Sequence, residues 1–284
     1  MRSLAPDQVE TVVREACHAE VQALKPGNVS IHSEGHRMRA DDFIRSADLI
    51  APVMAQPDLS VGARIEGAVA LTMAQVGCNT NLGIILLLAP LTQAALLRLP
   101  ANPLQERLEG VLRALTQADA VAAYRAIRQA CPAGLGHSPQ QDVGREPEVT
   151  LLQAMRLAAD WDLVARQYAQ DYADVFTLGV PAIKEGWARG WGPEWGAVTC
   201  YLAFLARLPD THICRKYGRE AAEMVRLEAA TVETDFKACE NSHTAFNKLL
   251  SFDNKLKQGG YNPGTCADLT VASWTACRLH ALLK

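Results

Sequence analysis

Four polar runs bring cations, carboxylates and side-chain amides together where helices should begin or end. The first is Lys25-Pro-Gly-Asn28-Val-Ser-Ile-His32, closing with Arg37, Arg39, Asp41 and Asp42. A lysine, backbone amides freed by a glycine and a carboxylate pair can hold a phosphate and a hard metal together. The same residues also make an ordinary helix stop followed by a capping aspartate. The second run is Gly77-Cys-Asn79-Thr80-Asn81-Leu-Gly83, just ahead of the most apolar stretch of the chain. Amide and hydroxyl donors at the positive end of a buried helix suit an anionic ligand, although simple capping needs only one of the three. The third is Asp210-Thr-His-Ile-Cys-Arg215-Lys216-Tyr-Gly218. There the aspartate suits magnesium and the two cations suit phosphates, or the whole is a solvated charged turn. The fourth, Gly259-Gly-Tyr-Asn-Pro-Gly-Thr-Cys-Ala-Asp268-Leu269, is a glycine-rich turn opening the last helix. Asp268 near a helix start is also explained by the macrodipole alone.

Two further features stand apart. Glu66 lies inside an apolar stretch, Ile65-Glu-Gly-Ala-Val-Ala-Leu, where a buried carboxylate needs a partner or a metal, unless it is exposed after all. Trp187, Trp191 and Trp195 either stack on a purine or pack as a lid on the core. The common nucleotide signatures are missing. There is no G-x-x-x-x-G-K-[ST], and Gly134-Leu-Gly136 is a fragment of a dinucleotide fingerprint with no strand before it. No H-E-x-x-H, EF-hand or G-x-S-x-G pattern is present.

The elements that must position these residues read as helices from end to end. Asp7 to Leu24 carries Val9, Val12, Val13 and Ala16 at helical spacing, with Asp7 and Glu10 as a capping pair and Lys25-Pro26-Gly27 as the stop. Further helices are expected over 42–55, 61–75, 82–97, 104–115, 119–130, 150–160, 162–176, 195–206, 218–238, 242–257 and 266–283. Leu82 to Leu97 is apolar all round and belongs at the centre of a bundle. Residues 131–149 and 177–194 read as long connections rich in glycine and proline. No run alternates with period two, so a sheet is not expected. The fold expected is all-α, a single multi-helical domain of roughly ten or more helices over residues 1–284.

Composition narrows the class. The chain has 284 residues, 49% hydrophobic and 21% charged, enough for a full core without a metal or disulfide staple. Its 28 basic and 31 acidic residues give a net charge of −3, which argues against nucleic acid as a partner. The apolar stretch is shorter than a membrane span needs, and the first residues lack a signal peptide's apolar core, so a cytoplasmic protein is expected. Eight cysteines without a C-x-x-C pair read as buried reduced thiols. A helical bundle of this size often forms a homodimer.

Taken in order, Lys25-Pro-Gly-Asn-Val, the Phe43 and Ser46-Ala47 helix, Gly77-Cys-Asn-Thr-Asn-Leu-Gly83, Asp210 with Arg215-Lys-Tyr-Gly218, and Asn262-Pro-Gly-Thr-Cys-Ala-Asp-Leu269 resemble the triphosphoribosyl-dephospho-CoA synthase family over nearly the whole chain. The resemblance implies an all-helical transferase that uses ATP as a ribosyl donor. In that reaction the 2′-hydroxyl of dephospho-CoA displaces adenine and the triphosphate stays on the ribose. Lyase-associated members resemble Asn-Thr-His-Lys-Gly where this chain has Asn79-Thr-Asn-Leu-Gly83, a form more similar to a branch in archaea and methylotrophs.

The resemblance implies triphosphate or nucleotide contacts at Lys25, Asn28, Asn79, Thr80, Asn81, Arg215 and Lys216. It implies Mg2+ at Asp42, Glu66 and Asp210, and catalytic roles at Glu66, Asp210 and Asp268, with the base not assigned to one of them. Two alternatives stand beside this reading. One is ATP-dependent transfer to another acceptor in one-carbon cofactor (tetrahydromethanopterin or methanofuran) biosynthesis, and the other is a nucleotide-binding regulator without turnover.

Overall fold

The apolar spacing becomes fourteen α-helices and one π-helical turn across residues 3–35, 38–99 and 102–284, which the computed structural model describes. Arg37 lies outside the described residues. The helices are α1 (Pro6–Gln22), α2 (Ala40–Met54), α3 (Val61–Gln75), α4 (Leu82–Leu96), α5 (Leu104–Arg113), α6 (Gln117–Ala130) and α7 (Leu151–Ala158). They continue as α8 (Leu163–Ala169), the π turn (Val175–Gly179), α9 (Val180–Ala188), α10 (Glu194–Leu205), α11 (Thr211–Tyr217), α12 (Arg219–Lys237), α13 (Ser242–Gln258) and α14 (Gly264–Leu283). Among the described residues no sheet forms; only isolated pairings, Ser30 with Ser33 and Gly35 with Met38, are extended. Among the same residues no helix is long and apolar enough to cross a membrane, and all eight cysteines are free.

α4 is buried on every side, as its composition demands, and it packs along α14, which α1 and α10 flank. Ile85, Leu87, Leu88 and Leu91 are completely enclosed, each stabilising the fold by about 1.5–3 kcal/mol. Pro90 sits inside this helix and cannot donate to the carbonyl four residues back. The Tyr168 hydroxyl supplies the missing donor to Leu86 O at 2.6 Å, and the Tyr172 hydroxyl donates to Leu87 O at 3.0 Å. Tyr172 reaches it from a left-handed backbone, φ 59°, which breaks the helix expected to run to residue 176.

Two other boundaries differ from the sequence expectation. The segment 177–194 is not a long connection. The π turn and α9 run through it, because Pro181 falls in the first turn of α9, where its missing N–H costs nothing. At the start of α1 the cap is Ala5, whose N–H donates to Gln8 Oε1 at 3.0 Å, so Asp7 and Glu10 do not form the capping pair.

Candidate active site

The beginning of α14 gathers the polar runs, and hydrogen bonds show how. In the loop after α1, Gly27 adopts φ 84°, and its N–H donates to Asp253 Oδ1 of α13 at 2.8 Å. A Cβ on Gly27 would press on Pro263 and on the Tyr261 carbonyl, so a glycine lets the loop lie directly on the turn before α14. The next residue, Asn28, donates through Nδ2 to Asn262 Oδ1 at 2.8 Å. From the other side Asp210, the N-cap of α11, accepts from His212 N and Ile213 N through Oδ1 and from Cys266 N through Oδ2. One carboxylate thus ties the starts of α11 and α14 together. Gly83, in the first turn of α4, faces Asp268 so closely that a Cβ there would collide with the carboxylate.

Segments 25–28, 81–83, 210–215 and 262–268 are therefore brought together, although more than 230 positions separate the first from the last. The residues within them divide by whether their hydrogen bonds are complete. Lys25 is fully buried; its Nζ donates to Val29 O at 2.7 Å and lies 3.1 Å from Glu20 Oε1 of α1. Burial pushes the lysine down and the glutamate up, each opposed by the other's charge. A lysine so enclosed is not placed to meet a triphosphate. Asp210 is likewise completely buried, and burial pushes its carboxyl up against the opposing pull of the amides. A carboxylate already accepting three backbone N–H groups fits neither a metal ligand nor a base, so the two roles implied for Asp210 give way to a positioning one.

The Asn79-Thr80-Asn81 run has three different fates. Asn79 Oδ1 accepts from Leu82 N at 3.1 Å, an ordinary cap. Thr80 Oγ1 shares a hydrogen bond with Ser46 Oγ of α2 at 2.6 Å. Asn81 is buried, and its Nδ2 has no partner. The same is true of Asn28 Oδ1, Ser30 Oγ and Arg215 Nε. Buried polar atoms are rarely left unpaired, and four of the eight orphans among the described residues fall within the predicted runs. Arg215 meanwhile donates through Nη1 to Asp162 Oδ2 at 2.8 Å. Lys216 is exposed with no ion pair. Asp268, half-buried, has neither a hydrogen bond nor an ion pair. Burial, then the negative charges of Glu20 and Asp210, push its carboxyl well above the usual range, and Arg215 only partly counters them.

The carboxylates of Asp42 and Glu66 take partners outside this set. Asp42 is the third residue of α2 and accepts from Arg39 N at 3.0 Å, near Cys78. Glu66 is 38% exposed on α3 and stands 3.8 Å from Arg125 Nη1 of α6. It is not the buried carboxylate that its apolar surroundings suggested, because that face of α3 opens beside α6. Asp42, Glu66 and Asp210 are held on separate partners, and no group of three metal-ligating side chains occurs among the described residues. The metal set implied for these three is therefore not assembled by the protein.

The tryptophans form a lid on the core. Trp187 packs edge-on to Trp274, Trp191 edge-on to Trp195, and Trp195 stacks on Phe236. A surface groove of about 320 Å³ beside them is lined by His32, Glu194, His243 and Phe246, and a wider one of about 620 Å³ by Pro139, Gln153 and Arg156. Neither is lined by the convergent residues, so unmet hydrogen bonding marks the site better than volume does. Glu20, Asp162 and Asp253 were not singled out from sequence. Glu20 continues the buried Val9, Val13 and Ala16 stripe of α1, a readable signal; Asp253 follows the buried Ala245 and Leu249 of α13 in the same way. Asp162 caps α8 and left no such trace.

Comparison with known proteins identifies the family of the chain. The family model for CitG, ATP:dephospho-CoA triphosphoribosyl transferase, matches residues 6–284. The crystal structure of a protein from Archaeoglobus fulgidus described as a triphosphoribosyl-dephospho-CoA synthase shares the fold with a TM-score of 0.61 at 22% identity, covering 82% of this chain and 97% of that one. No curated protein sequence matches significantly. The match favours triphosphoribosyl transfer to dephospho-CoA over another acceptor or a regulator without turnover. With its helices in this arrangement and its polar runs joined at one helix start, the chain belongs to the ATP:dephospho-CoA triphosphoribosyl transferase family and is a transferase.

Proposed function

We propose that the start of α14 is where this transferase brings ATP and dephospho-CoA together. The observation that carries this reading is the set of orphaned polar atoms, Asn28 Oδ1, Asn81 Nδ2 and Arg215 Nε, around an unpartnered Asp268. A site with unmet donors and acceptors is one that a polar ligand completes. Arg215 and the exposed Lys216 supply positive charge for the triphosphate, and the first turn of α4 adds the positive end of its dipole. Asn28 and Asn81 present an acceptor and a donor to the nucleoside or the acceptor's polar groups. Lys25, Glu20, Asp210 and Asp253 hold the loops that carry these contacts.

The reaction is a displacement at an anomeric carbon with oxocarbenium character. The protein's share is to hold the triphosphate still, align the incoming hydroxyl and assist the leaving base. Magnesium, in this reading, arrives on the phosphates of ATP rather than in a protein cage, as is usual for that ion.

Incubation of the protein with ATP and dephospho-CoA tests the proposal. Free adenine and a dephospho-CoA adduct carrying a triphosphoribosyl group are expected by mass spectrometry. Release of ADP or pyrophosphate, or adenine without the adduct, overturns it. Substitution of Asn28 or Asn81 by alanine tests the site: weaker ATP binding with the fold retained is expected, and unchanged binding by both variants would remove the start of α14 as the site.

A further inference from the structure

Adenine is a poor leaving group. Breaking the C1″–N9 bond sends an electron pair into the purine, and a proton delivered to a ring nitrogen makes that departure easier by roughly 10²–10⁴-fold. On the reading of the site given above, a carboxyl beside the ligand is placed to carry that proton, and the carboxyls at this corner can be sorted by their partners. Most are already committed. Asp210 accepts three amides, and Asp253 accepts from Gly27 N and Ser33 Oγ and pairs with Lys257. Glu20 is paired with Lys25, and Asp162 accepts from Ala165 N and Arg215.

Asp268 alone among them is unpartnered. Its seat is made by Gly83, since any side chain at position 83 would occupy the place of the carboxylate. The charged groups that face it are Glu20 from α1, Asp210 and Arg215 from α11, and Asp162 at the start of α8. Three are carboxylates, and the single guanidinium is engaged by Asp162. Gly83 and Asn81 of α4 bring no charge. Burial and the neighbouring carboxylates push the Asp268 carboxyl well above the usual range, and no protein group accepts a hydrogen bond from it. It lies beside the first turn of α4, next to the equally unpartnered Asn81 Nδ2.

We propose that Asp268 is the proton donor to the departing adenine. The acceptor hydroxyl oxygen forms the new bond to C1″ as the C1″–N9 bond breaks and its electron pair passes to the purine. The Asp268 proton moves to a ring nitrogen, and the acceptor's hydroxyl proton leaves to solvent. The Asp268 carboxylate then regains a proton from solvent, so the net transfer is one proton from acceptor to adenine.

The test compares ATP with 7-methyl-ATP, whose purine already carries a positive charge and departs without further protonation. Asp268→Asn keeps shape and removes the acid. The variant should lose roughly 10²–10⁴-fold in kcat with ATP, yet stay within about threefold of the unaltered protein with 7-methyl-ATP. A second readout needs no variant: kcat of the unaltered protein should fall on an alkaline limb with ATP and lack that limb with 7-methyl-ATP. Equal losses with both donors in a variant that melts normally, full activity of the variant with ATP, or the same alkaline limb with both donors would each overturn the donor role. Failure of the unaltered protein to release adenine from ATP and dephospho-CoA is a different outcome; it overturns the reaction itself, and the donor role with it.

Discussion

Asp210 and Asp268 sit on the same corner of the molecule and receive opposite treatment. Around Asp210 and Asp253 every carboxylate oxygen accepts from a backbone amide, a hydroxyl or a lysine. Around Asp268 the neighbours are other carboxylates, an occupied arginine and a glycine. Asp210 is completely buried and Asp268 half-buried, and both have their carboxyls pushed upward. The difference is hydrogen bonding. A completed carboxylate is a strap that joins segments distant in sequence, whereas an uncompleted one keeps its chemistry available to a ligand. The same contrast separates Lys25, enclosed with Glu20, from Lys216, exposed and unpaired.

Substitutions can break that contrast, beginning with the strap. Asp210→Ala leaves three N–H groups, two of them in buried hydrogen bonds, without an acceptor and should cost about 3–5 kcal/mol of stability, read as a lower urea midpoint. A loss below about 1 kcal/mol would show that the tie between α11 and α14 is not structural. Lys25→Met should also destabilise strongly, because it leaves Glu20 buried without its partner. The cost should shrink in acid. Without Lys25 the folded-state pKa of Glu20 lies further above its unfolded value, so its contribution is intact below that unfolded value and is lost as pH rises through the folded one. A melting temperature deficit independent of pH would contradict the pairing.

On the open side, Arg215→Ala should weaken ATP binding by about ten- to a hundredfold, worth on the order of 1.5–3 kcal/mol, with little change in melting temperature. Calorimetric titration checks it; a large loss of stability with binding intact would move Arg215 to the strap. Asp268→Asn should sharpen the contrast through pH. The unaltered carboxyl has a raised folded-state pKa, so it stabilises most in acid and loses that contribution as pH rises from about 4 through the folded value. The variant should therefore melt higher than the unaltered protein at pH 8 and show no such advantage at pH 4. The smallest effect belongs to Glu66→Gln. Its partly exposed pair with Arg125 is worth about 0–1 kcal/mol, and adenine release should change less than about threefold. A larger loss would return Glu66 to the site.

The helices were largely legible. Val9, Val13 and Ala16, or the unbroken apolar run from Leu82, leave few other ways to bury their surface. What misled was punctuation: the glycines and prolines of 177–194 suggested a connection, although Pro181 is harmless in the first turn of a helix. The candidate site was legible as segments. Glycine beside amide and charged residues at helix ends is a local pattern, so the runs at 25–32, 77–83, 210–218 and 259–269 stood out in the sequence itself.

The part each side chain plays depended on the tertiary structure. Asp210 and Asp268, or Asn79 and Asn81, are alike in type and in local setting, and nothing local tells which will find partners. Those partners, Cys266 for Asp210 and Asn262 for Asn28, lie 56 and 234 positions away and arrive only when α14 docks. Period and composition determine which apolar faces are buried, because the amphipathicity of a helix is a local property of its sequence. Hydrogen-bond completion is a property of the assembled fold, and only the packing of α1, α4, α11 and α14 decided which polar groups became straps and which were left open.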